Sequence, residues 1–565
     1  MKKRIIEFLL LSVLAVCHFV FWYAHYGYLN AAYSNAYFDT SFGLLSDALA
    51  YRGMMRYAEN FLLAFFRWRG VGISILFVPV FCVYFITRAI LNRIHLKSLN
   101  PLAFLPAIVL MISQHFEHFF LQKSLVVLLM MIVVYAHIVL KNNKWRFILL
   151  LALPLSVLFL SDLELALLFF ALSLVEFISS TDNQRYFLSV FYLIFGVVSL
   201  VLYIVHLPTT PIFQVETPLL IAVQLLFVVL WIVLSKFGYA LNRIFEGKTS
   251  WLFYLLMLFA VGFTFISNEQ LEKKEVYACL DMALLNDEAD EILALVKGSY
   301  LNDSQELSPY LFYALALKGQ LPQSLFQYKP NKTNILPESL PLYASSQSVL
   351  SICFYRKLGL LNEAIHQAFQ MGISCERTDN FRSLCLLADL NMERGNLRVA
   401  EKYLTKLEQT LVHTDFVRTR REQMASMQQP AEVDFTDYLY INKDQFMNIS
   451  YALFFAKNES EFVKDYFLCA LLLTGEYEMF CNYYKELYPD KKCRKRVYAE
   501  ALLMARDMRL CTWDVEVASK VEQDWMQMKN IIGNRWLSRQ EREKKFLAYR
   551  NTWWWYYLKE YEHWF

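Results

Sequence analysis

Two groups of side chains in this sequence have the types and spacing that chemistry asks for. The denser is His115-Phe116-Glu117-His118, two imidazoles and a carboxylate within four residues. Histidine and glutamate carry protons and ligate metals. A zinc-binding helix sets its histidines at i and i+4, whereas these stand at i and i+3 without a partner motif, so no metal is assigned. The plainer reading is a turn whose polar groups face water. The second group is Asp39 and Asp47 followed by Arg52 and Arg56, all in one long loop. A carboxylate there would serve as a general base if the group whose proton it takes came within hydrogen-bond reach. Asp39 precedes a Thr40-Ser41-Phe42-Gly43 turn, in which Ser41 would cap the next helix. Asp47 falls just past that helix's first turn, where a carboxylate serves structure. The candidate catalytic set is therefore Asp39, His115, Glu117 and His118, with Arg52 and Arg56 as candidate substrate-binding cations. Plain solvated acids remain the alternative. Asp162 and Glu164, in a short connection, either line a cavity or mark a membrane boundary.

The elements that must position these groups are apolar. Nine segments have the composition of membrane spans: Ile5–Tyr23, Val71–Ile86, Pro101–Ser113, Ser124–Leu140, Phe147–Leu160, Leu165–Ile178, Phe187–Leu207, Leu219–Phe237 and Trp251–Asn268. Several middle ones are short for a helix that needs about 20 residues to cross, so re-entrant pairs are an alternative. The apolar run after Met-Lys-Lys-Arg continues through Trp22, which favours an uncleaved anchor over a signal peptide. With the N-terminus inside, the inner connections hold Lys2, Lys3, Arg4, Arg88, Arg93, Lys97, Lys141, Lys144, Arg146, Arg185, Lys236, Arg243 and Lys248, thirteen cations. The outer ones hold Arg52, Arg56, Arg67, Arg69 and Lys123, five. This bias puts the N-terminus in the cytoplasm and everything after the ninth span on the outer face, the periplasm of a Gram-negative cell. The loop 24–70 then lies outside, with a helix over Phe42–Trp68 along the interface. The expected domains are a polytopic membrane domain, 1–268, and a periplasmic domain, 269–565.

The second half repeats an apolar helix, a glycine turn and an amphipathic helix. It does so at Leu311–Tyr328, Ile352–Phe369, Cys385–Leu404 and Tyr466–Tyr484, with Gly319, Gly359, Gly395 and Gly475 in the turns. A degenerate first unit has Asn286-Asp287 in place of the glycine. A lone helix hairpin cannot bury its apolar face, so such units stack. The pattern predicts an all-α solenoid of about six helix pairs. Gly359-Leu360-Leu361-Asn362-Glu363-Ala364 and Gly395-Asn396-Leu397-Arg398-Val399-Ala400 resemble tetratricopeptide repeats. Strand signals are nearly absent.

Other features admit two readings each. The run Lys491-Lys492-Cys493-Arg494-Lys495-Arg496 is either a solvated surface or a contact for anionic groups. Trp553-Trp554-Trp555-Tyr556-Tyr557 suits a cap on the last repeat, a membrane interface or a sugar-stacking surface. Ten cysteines form no C-x-x-C; those on repeat helices read as buried thiols, although the outer face permits disulfides. No Walker loop, dinucleotide fingerprint, nucleophile elbow or His-Glu-x-x-His occurs, so no cofactor is implied. No basic stripe with interleaved aromatics points to nucleic acid.

The loop Phe38–Gly72 and the block Tyr313–Leu404 together resemble an uncharacterised family of multipass membrane proteins from Bacteroides-like bacteria, a domain of unknown function with a C-terminal helical-repeat region. Where many members carry Pro-Gly-Gly in the first loop, Tyr51-Arg52-Gly53 stands here. The resemblance implies architecture and no mechanism. The acidic first outer loop is also similar to that of membrane glycosyltransferases that use lipid-linked sugars, which would give Arg52 or Arg56 a lipid phosphate to hold; their paired-acid motif is absent, since Phe38-Asp39-Thr40 has one aspartate. Two functions are therefore expected to compete. One is a membrane-anchored scaffold whose repeat groove takes a periplasmic protein or peptide. The other is an enzyme acting on a lipid-linked substrate at the outer face.

Overall fold

The computed structural model describes residues 2–50, 54–115, 121–140, 160–179, 183–205, 216–236, 269–298, 307–328, 346–374, 380–427 and 460–560, short gaps at 491, 494, 510–514 and 535–537 aside, together with 144–146, 148 and 262. Every regular element among them is a helix; extended pairing is limited to two isolated bridges, Asp39 with Thr410 and Lys492 with Glu516. The chain forms two compact units. The first comprises Met1–Glu275 with Thr405–Arg418, and the second comprises Val276–Leu404 with Thr419–Phe565.

In the first unit, α1 (Lys2–Ala24), α5 (Arg69–Arg93) and α7 (Leu121–Val139) are long and apolar enough to cross a membrane. That is three among the described residues, against nine expected. The third expected span shows why. Its sequence opens as a 3-10 turn over Lys97–Ala103 containing Pro101 and continues directly as α6 (Phe104–Ser113). Together they form one shorter apolar helix, Lys97–Ser113, below the about 20 residues of a regular crossing helix. α8 (Asp162–Ser179) carries Glu164 and Glu176 near its ends. The described apolar stretches of α9 (Asn183–Val205) and α10 (Glu216–Ser235) are Tyr186–Val201 and Leu220–Ser235, both short of a crossing. The expected spans Phe147–Leu160 and Trp251–Asn268 lie almost wholly outside the described residues. α8 and α9 pack face to face, and the small pair Ser173 and Ser189 at their crossing trades hydroxyl-to-carbonyl bonds of 2.9 Å in both directions. Small hydroxyl residues let apolar helices approach closely while satisfying their own polar atoms.

The first loop is not one interfacial helix. It folds as α2 (Tyr26–Asn35), an extended stretch, α3 (Phe42–Ala50), α4 (Met54–Leu63) and a 3-10 turn over Ala64–Arg67. α4 buries Met55, Asn60 and Leu63 and packs on α5 and α7.

The second unit is built of helix pairs: α11 (Glu269–Leu285, which begins in the first unit) with α12 (Ala289–Gly298), α13 (Ser308–Leu317) with α14 (Leu321–Ser324), α15 (Ser346–Lys357) with α16 (Leu361–Ser374), and α17 (Phe381–Glu393) with α18 (Leu397–Glu408). After α19 (Thr414–Ser426) come α20 (Glu461–Thr474) with α21 (Tyr477–Leu487), and α22 (Arg496–Asp507) with α23 (Ser519–Gly533); α24 (Arg539–Phe546) and α25 (Trp553–Glu560) end the described chain. Gly319, Gly359, Gly395 and Gly475 all hold positive φ, between 63° and 82°. At Gly359 the closing bonds are Leu360 N–H to Tyr355 O at 2.9 Å and Gly359 N–H to Arg356 O at 3.1 Å. This double bond pattern satisfies the last carbonyls of the first helix and needs a left-handed residue, which glycine supplies at least cost. Asp287 takes the same role in the first pair with φ 55°, as the Asn286-Asp287 substitution predicts. Arg509, just past the end of α22, also has positive φ, 61°, with no signal in the sequence.

Neighbouring elements pack on one another, α12 on α13 and α16 on α17, while α13 and α14 also pack on α20 and α14 on α22, elements far along the chain, and the apolar faces merge into one core running from Leu280 to Leu558. The tryptophan run closes that core. Trp553 and Trp554 are fully buried; Trp554 stacks on Trp525 with ring centroids 5.0 Å apart, and Tyr556 donates to Leu473 O at 2.9 Å. Two cations of the basic run make ion pairs: Lys495 meets Glu461 and Asp465, and Arg496 meets Glu500 and Asp524. No disulfide joins one described cysteine to another.

Candidate functional site

The polar groups singled out in the first loop are held by short-range chemistry. Asp39 lies in the extended stretch between α2 and α3 and is buried. Its Oδ1 accepts from the Ser41 amide at 2.9 Å and the Ser41 hydroxyl at 2.6 Å, while Oδ2 accepts from the Tyr37 hydroxyl at 2.8 Å. Ser41 Oγ in turn accepts from Leu44 N–H at 3.4 Å, at the start of α3. This is an aspartate turn that launches a helix. The spacing predicted the turn and the Ser41 cap; the three donors claiming the carboxylate were not legible.

The same stretch grips a segment from far along the chain. Asp39 bridges Thr410, and the Thr40 amide donates to Gln409 O at 3.3 Å. Arg67 donates to Val412 O. Tyr33 stacks on His413, with its hydroxyl 2.8 Å from Nε2, and Thr410 Oγ1 lies 3.0 Å from Nδ1. Burial, reinforced by the Arg67 cation, lowers the His413 pKa to about 4, so this imidazole is neutral at ordinary pH. Glu275 completes the frame: its carboxylate accepts from the Gly27 and Tyr28 amides at 2.9 and 2.6 Å, on the positive end of α2. None of these partners was visible in sequence, because they join positions hundreds of residues apart.

His115 sits just past the end of α6, buried, stacked on Phe21 at 3.9 Å and edge-on to Trp22 at 5.8 Å. Its Nε2 has no hydrogen-bond partner. Burial first, and then the nearby His25, lower its pKa to about 4. Asp39 and His115 share no partner among the described contacts, so the two halves of the expected catalytic set are not brought together by them. Arg56 is a half-buried residue of α4. Arg52, Glu117 and His118 lie outside the described residues, as does the side chain of Asp47. Glu164 pairs with Lys123 and accepts from the Ser161 amide at 2.8 Å, closing the start of α8.

A second buried polar cluster went unread in the sequence. Glu176 of α8 accepts from Arg146 at 2.9 and 3.2 Å and pairs with His137 of α7; the Tyr192 hydroxyl of α9 stands 3.4 Å from the other imidazole nitrogen. A lone glutamate in the apolar run Leu165–Ile178 was the available signal. Its partners lie on other helices, and each looks unremarkable alone.

Residues 2–560 match one family as a whole, described as a family of unknown function (DUF6057). The chain belongs to this family. No curated protein and no solved structure matches it. Membership thus covers both units in a single evolutionary block, and the chemistry has to be argued from the residues.

Proposed function

We propose that this protein is a membrane-anchored scaffold that presents a helical-repeat domain at the periplasmic face of the inner membrane. The anchor is α1, α5 and α7 together with the remaining apolar segments, in a multipass arrangement with the N-terminus inside. With all nine apolar segments taken to cross, the cation bias of thirteen to five supports that direction. The paired helices with left-handed turns support a tetratricopeptide-like recognition surface rather than a catalytic one.

The observation that carries this reading is the state of Asp39. A general base must meet its proton within hydrogen-bond reach, whereas Asp39 is buried and three of the about four acceptor sites of its carboxylate are taken by Tyr37 and Ser41. The competing reading, transfer from a lipid-linked donor, is favoured by one feature, the unpartnered Nε2 of His115. Complementation decides between them. In a strain where deletion has a phenotype, Asp39→Asn is expected to restore wild-type behaviour at normal protein levels. Loss of function at normal levels would make Asp39 a catalytic residue and transfer the case to the enzyme.

A further inference from the structure

The outward face of α5 carries a stripe of large apolar side chains. Val71, Val78, Phe81 and Phe85 are exposed, at the three-, four- and seven-residue spacings of one helix face, while Leu76, Val80, Val83 and Tyr84 between them are buried. Ser74, the polar residue on the stripe, returns its hydroxyl to Gly70 O at 2.8 Å. In a helix long and apolar enough to cross a membrane, such a stripe is the face that meets lipid chains. The stripe does not stop where the helix begins. Trp68, exposed, continues it, and from there rings step into the first loop: Phe65 lies 6.3 Å from Trp68 and Phe61 lies 5.3 Å from Phe65, centroid to centroid, with Phe61 exposed. Residues 60–68, NFLLAFFRW, hold a single charge, and that guanidinium is turned to the Val412 carbonyl. Where α1 ends and α5 begins, the Arg69 guanidinium lies over the rings of Tyr23 and Tyr26, at 3.4 and 4.9 Å. Tyrosine, tryptophan and arginine at helix ends mark the level of lipid headgroups.

We propose that the edge formed by Phe61, Phe65 and Trp68 is a lipid-contact surface, seated in the leaflet where α5 begins, so that the first loop is fastened to the bilayer as well as to α5 and α7. A row of exposed rings marks a contact site, and its continuity with the α5 stripe names the partner as lipid. The contact bears on the candidate site, because Phe38, next to Asp39, packs on Phe61 with centroids 5.2 Å apart. The inference rests on the membrane-anchored reading and extends it to a part of the chain that does not cross.

The test uses the full wild-type chain in lipid nanodiscs. One sample contains a phosphatidylcholine with a diazirine on its acyl chain, and a second receives a water-soluble diazirine instead. After photolysis, trypsin cuts after Arg56, Arg67, Arg69 and Arg88, which separates residues 57–67 from residues 70–88 of α5, and mass spectrometry locates the adducts. The lipid probe is expected to label both peptides. On residues 57–67 it is expected to exceed the soluble probe at least tenfold, with adducts on Phe61 and Phe65 rather than on the buried Leu63. Lipid labelling of residues 70–88 alone would overturn the proposal and leave the anchor standing. Lipid labelling of neither peptide would overturn the proposal and the anchor reading together. Labelling of residues 57–67 by the soluble probe as strongly as by the lipid probe would place the rings in water and overturn the proposal too.

Discussion

The loop-bearing end of the first unit and the core of the second bury their polar groups by different means. At the loop, Asp39 is met by two hydroxyls and an amide, and His413 lies between two hydroxyls. In the second unit, buried carboxylates face cations: Asp281 with Arg382 at 2.7 Å, Asp465 with Lys495, and Glu500 with Arg496 at 2.9 Å. A hydroxyl can donate or accept and adapts to whatever it meets. A buried ion pair is satisfied only in one arrangement, and breaking it leaves a stranded charge. The second unit therefore fixes one packing. The loop end holds its far segment by hydrogen bonds from Thr40, Tyr33 and Arg67 rather than by a carboxylate–cation pair.

The largest expected effect breaks the second unit's side of this contrast. Glu500 accepts from the Trp553 amide at 2.8 Å as well as from Arg496, and its own carbonyl accepts from Trp554 Nε1 at 2.7 Å. Glu500→Ala removes the anchor of α25 and leaves the buried Trp553 amide without its acceptor, and is expected to cost about 2 kcal/mol, in the range for an unsatisfied buried donor. Denaturant unfolding monitored by tryptophan fluorescence measures it. Next comes Gly395→Val. The glycine φ is 82°, a conformation that a β-branched residue adopts only under strain, so a loss of about 2 kcal/mol is expected by the same assay.

pH separates the two regions by sign. His413 has a folded pKa of about 4, below its ordinary 6.5. Its contribution to stability is present above 6.5 and is lost as pH falls toward 4. Asp281 goes the other way. Burial outweighs the attraction of Arg382 and raises it from 3.8 to about 7, so its contribution is full below 3.8 and is lost as pH rises through 7. Melting curves across pH 4–8 are expected to lose the acid-side slope in His413→Gln and the opposite slope in Asp281→Asn. Equal profiles for both variants would erase the contrast. The smallest effect is expected from Asp287→Gly. Here the φ of 55° already suits glycine, and the bond to Lys357 is exposed, so the change should stay within about 0.5 kcal/mol.

Local order was legible in the sequence and distant contact was not. The glycine turns, the Asp287 replacement and the Ser41 cap are each set by a few neighbouring residues whose backbone preferences are strong. The fate of Asp39 was set by Tyr37 and Thr410, one of them 371 positions away. His115 could be read as a polar residue at a helix end, but not as a ring stacked on Phe21. The non-consecutive packing of α13 and α14 was equally hidden, because an apolar helix face does not name the helix that covers it. The 3-10 turn at Lys97–Ala103 was hidden too, since composition registers apolarity without helix geometry.

The central claim is that the anchor delivers the second unit to the outer face. Its most direct test is a pair of reporters fused after Phe565, one active only in the periplasm and one only in the cytoplasm. The account predicts activity from the periplasmic reporter alone. Activity from the cytoplasmic reporter alone would contradict it.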